Sequence, residues 1–170
     1  MPTADFAREL QTPRLLLSPP VRADIPDLYT FLGDPDAMQF THHDPNFIAC
    51  RKRVMVHEWF RRRDGFAPWV VRERKNGRIV GWGGLYTDPF DPGWGPELGY
   101  FLNPDVRKRG LGGELAETAL NIAIMLPNLQ VLGAFAHPDN QPSRKLLTRL
   151  GFSEVGFIAK MNRVHFQRPV

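Results

Sequence analysis

Cysteine is nearly absent from this chain: Cys50 is the only one in 170 residues. That excludes an internal disulfide framework and any zinc site built from several cysteines. No apolar run approaches membrane-spanning length, and Met1 to Gln11 carries Asp5, Arg8 and Glu9 where a secretory signal needs an apolar core. Internal repeats, low-complexity tracts and an interdomain linker are also missing. What remains is 42% hydrophobic and long enough to bury one sizeable core. A single domain over 1–170 is expected, with 1–13 a loosely ordered N-terminal extension and a cytoplasmic setting.

The net charge of +4 suits a polyanionic small ligand without implying nucleic acid. Basic triplets occur at Arg51 to Arg53, Arg61 to Arg63 and Arg107 to Arg109. The first two flank a helix-like segment from Cys50 to Arg63 and read as a solvated face, the second placed where cations complement a helix C-terminus. No groove-reading motif accompanies them, which disfavours a nucleic-acid partner.

Periodicity and turn residues place the other elements. Arg14 to Leu17 reads as a short strand, and Asp24 as the cap of a helix over Ile25 to Leu32. Phe66 to Glu73 and Arg78 to Leu85 read as a hairpin turning at Asn76-Gly77. A Pro- and Gly-rich loop, Thr87 to Pro96, precedes an apolar strand over Glu97 to Leu102, closed by Asn103-Pro104. Leu111, Leu115, Ala119, Ile122 and Leu126 form a helical stripe, followed by a strand over Val131 to Ala136. Phe152 to Phe157 and Arg163 to Gln167 supply two terminal strands.

The most informative stretch joins the Glu97 strand to the Leu111 helix: Arg107-Lys108-Arg109-Gly110-Leu111-Gly112-Gly113. A helix start exposes unpaired N–H groups at the positive end of the macrodipole, so it favours an anion. The glycines allow close backbone approach, and Arg107, Lys108 and Arg109 can neutralise charge. The Gly-Lys-Ser/Thr ending that grips a nucleoside triphosphate is missing.

Arg107-x-x-Gly110-x-Gly112 resembles the acetyl-CoA pyrophosphate signature of the GNAT N-acetyltransferase superfamily. A second segment, Asn140-Gln141-Pro142-Ser143 through Leu150-Gly151-Phe152, resembles the family's later Asn-x-x-Ser/Ala helix ending in Leu-Gly-Phe. The resemblance implies an α/β fold: a mixed, largely antiparallel central sheet with helices on both faces. It also implies direct acetyl transfer from acetyl-CoA to a primary amine, with no metal and no acyl-enzyme. Arg107, Lys108, Arg109, Gly110, Leu111, Gly112 and Gly113 would then hold the pyrophosphate, and the Leu102 backbone the pantetheine. Asn140 would bond the pantetheine arm or position its helix.

Such a reaction needs a path for the amine proton, a proton donor for the departing thiolate and donors for the oxyanion. Glu97 is the candidate base, as a carboxylate on the strand that passes the thioester. Its bland alternative is a strand-end charge. Many family members carry a tyrosine seven residues after the asparagine, where this chain has Leu147. Ser143 becomes the candidate acid, a pattern that resembles the Rim-type ribosomal-protein N-terminal acetyltransferases. Asn140 and Ser143 equally suit the capped first turn of a helix.

His42-His43-Asp44 lacks a further ligand at metal spacing and is expected near the acceptor pocket, which Trp82, Tyr86, Trp94 and Tyr100 could line. The resemblance implies a protein or peptide N-terminus or a small amine as acceptor; no membrane partner is expected, and a homodimer stays open. The contrasting reading is a non-catalytic acyl-CoA-binding or regulatory module.

Overall fold

A computed structural model describes residues 8–170. Eight strands form one sheet: β1 Leu10–Gln11, β2 Leu15–Ser18, β3 Trp69–Glu73, β4 Ile79–Thr87, β5 Pro96–Leu102, β6 Val131–Ala136, β7 Ser153–Ile158 and β8 Arg163–Pro169, in the order β1-β2-β3-β4-β5-β6-β8-β7. Four α-helices accompany them: α1 Ile25–Leu32, α2 Phe47–Asp64, α3 Leu111–Met125 and α4 Gln141–Arg149. Every pairing is antiparallel except β5 with β6. The expected α/β arrangement with a mixed, largely antiparallel sheet is what forms.

Two apolar clusters separate the faces of the sheet. Leu98, Leu111, Leu115, Ala119, Leu132 and Leu147 belong to one, which packs α3 and α4 on the sheet. Ile25, Leu28, Cys50, Val54, Val70 and Trp82 belong to the other, beneath α1 and α2. Period-two alternation along β5 therefore sends Leu98, Tyr100 and Leu102 toward α3, and Glu97 and Phe101 toward α2.

Several expectations needed correction. Asp24 makes no side-chain cap; its carboxylate accepts from the Val21 N–H and from Arg72 instead. The helix expected from Cys50 begins at Phe47, because Asn46 Oδ1 accepts the Ala49 N–H at 2.9 Å. The triplets at its ends are not simply a solvated face: Arg53 and Arg61 are buried, Arg61 against Glu58 and the Pro68 carbonyl. Of the expected N-terminal extension, 1–7 lies outside the described residues, while Leu10–Gln11 pairs with β2.

The parallel pair creates the site. β5 and β6 pair only at Glu97 with Gly133 and Leu98 with Ala134. Beyond those residues β5 runs on to Leu102 without β6 beside it.

Candidate active site

The open edge of β5 presents backbone. Asn103 N–H donates to the Val80 carbonyl at 2.8 Å. Strand alternation then turns the N–H and C=O groups of Leu102 and Tyr100 away from β4, toward the gap left by β6. The Leu102 N–H is thus turned where an extended ligand could meet it, while the Leu102 carbonyl accepts from Arg107 Nη2 at 3.5 Å.

At the end of β5 the glycine turn meets that edge. Gly110 (φ 78°) caps α3 in the left-handed region, and Lys108 shares it (φ 61°). Glu114 N–H, bonded to the Gly110 carbonyl at 3.2 Å, is the first to find an acceptor within the helix, so the amides of Leu111, Gly112 and Gly113 precede the ladder. A Cβ on Gly112 would stand 3.3 Å from Leu102 Cδ1, and one on Gly113 2.9 Å from Arg149 Nη2. These two glycines let the helix start pack closely on Leu102 and Arg149, and its free amides suit a pyrophosphate.

The cations of the turn divide their tasks. Arg107 Nη2 donates to the Ala37 carbonyl, and Arg109 pairs with the buried carboxylate of Glu73. Arg109's own carbonyl accepts from Arg14 Nη1 at 2.7 Å, while Arg14 Nε pairs with Glu114 at 2.7 Å. Two of the three cations expected to meet phosphate therefore hold the turn in place. Lys108 is exposed and has no ion-pair partner among the described residues.

On the α2 side of β5 lies a cavity of about 340 Å³, lined in part by His42, Asp44, Arg53, Trp82, Tyr86 and Phe101. Arg53 Nη2 donates to Asp44 Oδ2 at 2.9 Å, and its guanidinium lies 5.0 Å from the Trp82 ring centroid. His57 stands edge-on to Trp82 and Tyr86, its pKa pushed down to about 3 by burial and then by Arg53 and Arg61. The imidazole is therefore neutral. His42, Asp44, Trp82 and Tyr86 all line this cavity. Trp94 packs elsewhere, on Phe135 and His165, and Tyr100 points to the opposite face.

Glu97 is 4% exposed on the same face of the sheet as that cavity, where β5 and β6 begin to part. Burial, and then the charges of Asp88 and Asp91, raise its pKa to about 8. The Thr87 to Pro96 excursion thus supplies two carboxylates that act on Glu97, a contribution no motif announced.

On the other face, Asn140 Oδ1 accepts the Ser143 N–H at 3.3 Å and caps α4. Ser143 Oγ lies 3.0 Å from the Tyr100 hydroxyl, a contact sequence reasoning missed. The alternation of Tyr100 with Leu98 and Leu102 was the available signal. Glu97 and Ser143 are consequently reached from opposite faces of the sheet, with the β5–β6 gap between their elements.

The same overall fold is found in solved structures, and one family model matches the sequence. The family model "Acetyltransferase (GNAT) domain" matches residues 14–153. The chain belongs to the GNAT acetyltransferase family. It is similar to the uncharacterized N-acetyltransferase YjdG of Bacillus subtilis (strain 168), 33% identical over 88 residues. That match covers 52% of this chain and 52% of YjdG, so it spans about half the length of that relative. An acetyltransferase from Agrobacterium tumefaciens superposes with a TM-score of 0.82 at 21% identity, covering 95% of this chain and 94% of that one. RimL, a ribosomal L7/L12 alpha-N-protein acetyltransferase in complex with coenzyme A, superposes with a TM-score of 0.79 at 14% identity, covering 96% and 98%. Members of the GNAT family are acyltransferases, and the family's donor is acetyl-CoA. Among the described residues, no helix is long and apolar enough to cross a membrane.

Proposed function

We propose that this GNAT protein transfers acetyl from acetyl-CoA directly to a primary amine, with Glu97 as the base. The observation that carries the reading is the Glu97 carboxyl, buried where β5 and β6 part and raised to about 8, on the face that holds the 340 Å³ cavity. A carboxylate of that basicity can take a proton from an incoming ammonium near neutral pH. Approach of the cationic amine itself favours ionisation of Glu97, which couples acceptor binding to activation of the base.

The other roles follow the two edges of the gap. The amides of Leu111, Gly112 and Gly113, with Lys108, hold the pyrophosphate. The outward N–H groups of Leu102 and Tyr100 hold the pantetheine arm and polarise the thioester carbonyl. Asn140 fixes the first turn of α4, and Ser143 protonates the departing sulfur. The Ser143 pattern, together with the shared fold of RimL, makes a peptide α-amine the first acceptor to test.

Thiol release from acetyl-CoA, measured across N-terminal peptides and small amines, tests the proposal. Amine-dependent release is the expected result. Stabilisation of the fold by CoA without release with any amine would leave a binding module instead.

A further inference from the structure

A serine is poorly matched to protonate a thiolate by itself. Its hydroxyl is much less acidic than a thiol, so a lone Ser143 alkoxide would reclaim the proton at once. Ser143 needs a proton behind it, and only one side-chain partner contacts its hydroxyl among the described residues: the Tyr100 phenol at 3.0 Å.

The placement of that phenol is specific. Tyr100 lies on the same face of β5 as Leu98 and Leu102, and its Cδ2 stands 4.0 Å from where a Cβ on Gly112 would be. Its backbone N–H faces the gap while its hydroxyl reaches the first turn of α4. Ser143 and the buried Leu147 are four residues apart on α4 and so share a face. Leu147 leaves that face without a phenol of its own. Burial holds the Tyr100 phenol above its usual range and so protonated at rest, while the hydrogen bond to Ser143 and then the Arg149 guanidinium favour the phenolate should it form.

We infer that Tyr100 is the proton source behind Ser143, relaying a proton through the serine hydroxyl to the sulfur as coenzyme A leaves. The inference rests on the reading of Ser143 as the acid. As the carbon–sulfur bond breaks, its electron pair goes to sulfur, which takes the Ser143 hydroxyl proton. Ser143 Oγ takes the Tyr100 proton in the same step, so no alkoxide accumulates. The Tyr100 phenolate then regains a proton from water. Tyr100 acts through Ser143 and is a positioning residue in the sense that its effect vanishes without the serine.

Tyr100→Phe, Ser143→Ala and the double variant test this, with CoA-induced thermal stabilisation confirming that each folds and binds. The expected result is a fall in kcat of roughly 100-fold for each single variant at unchanged KM for acetyl-CoA, within the range for one acid–base group. The double variant should be no slower than the slower single one. Full activity in Tyr100→Phe beside an impaired Ser143→Ala would overturn the relay and leave the serine as acid. Full activity in both would remove the serine reading itself. Should Tyr100→Phe fail to fold, 3-fluorotyrosine placed at 100 keeps the shape and acidifies the phenol. The alkaline limb of kcat should then move to lower pH, and the ¹⁹F resonance of the free protein should shift on Ser143→Ala. An unmoved limb and an unmoved resonance would refute the contact and the relay together.

Discussion

Tyr86 and Glu97 face each other directly across β4 and β5, and after burial it is the Glu97 carboxylate that makes the Tyr86 phenol harder to ionise. The Tyr86 ring lies over Gly99, where an added Cβ would fall 2.6 Å from the phenol oxygen. Glu97 is itself buried, and Asp88, which lines the cavity, and Asp91 add negative charge. Both effects favour the protonated carboxyl, so the base is held in reserve until pH or a cationic acceptor ionises it.

Activity should therefore rise with pH through about 8 as Glu97 ionises. Glu97→Gln should remove that inflection and lower kcat/KM on the alkaline side by about 100-fold, a loss typical of one general base. The comparison uses pH–rate profiles of both proteins with the same amine, whose own titration is common to the two. An unchanged profile in the variant would take Glu97 out of the mechanism.

The same carboxyl should weaken the fold. Its pKa is about 8 in the folded protein against a usual 4.5, so the native state binds more protons than the unfolded chain between those values. Stability from this group is present below pH 4.5 and is lost as pH rises toward 8. Glu97→Gln, which cannot ionise, should melt higher than wild type at pH 8, by roughly ten degrees, because a pKa of about 8 against 4.5 costs about 4 kcal/mol at that pH. At pH 5 the gap should nearly close, which paired melting curves at the two values check.

The sequence was legible where local physics decides structure. The Asn-Gly turn, the glycine-capped start of α3 and the apolar stripe of that helix appear as expected, since turn and cap geometry depend on adjacent residues. Glu97 and Ser143 are nominated from residue type and position. What was not legible is pairing at long range: Arg109 with Glu73, Arg53 with Asp44, Tyr100 with Ser143. A basic triplet looks the same in sequence whether its cations face phosphate or a buried carboxylate. Register across the sheet decides that, and it is a property of the assembled fold.

Arg53 and Asp44 show the cost of breaking such a pair. Both side chains are under one-tenth exposed, and the guanidinium also lies over Trp82 in the cavity wall. Asp44→Asn or Arg53→Met should each destabilise the protein by about 3–5 kcal/mol, because a buried charge is left without its partner. The double variant should recover part of that loss, a coupling that chemical denaturation of all four proteins measures.

Lys108 and Arg109 are neighbours in sequence with different expected phenotypes. Arg109 closes on Glu73, whose carboxylate is held below its usual range first by that hydrogen bond, while Lys108 projects from a left-handed turn. Lys108→Ala should weaken CoA binding roughly tenfold, about 1.4 kcal/mol, with no change in melting temperature. Arg109→Ala should lower the melting temperature, since it leaves the Glu73 carboxylate facing only the longer 3.5 Å contact with Lys75. Weakening of CoA binding should follow as the turn loses its anchor. Calorimetric titration beside thermal melts separates the two, and a stable Arg109→Ala with tenfold weaker CoA binding would assign that cation to the phosphate after all.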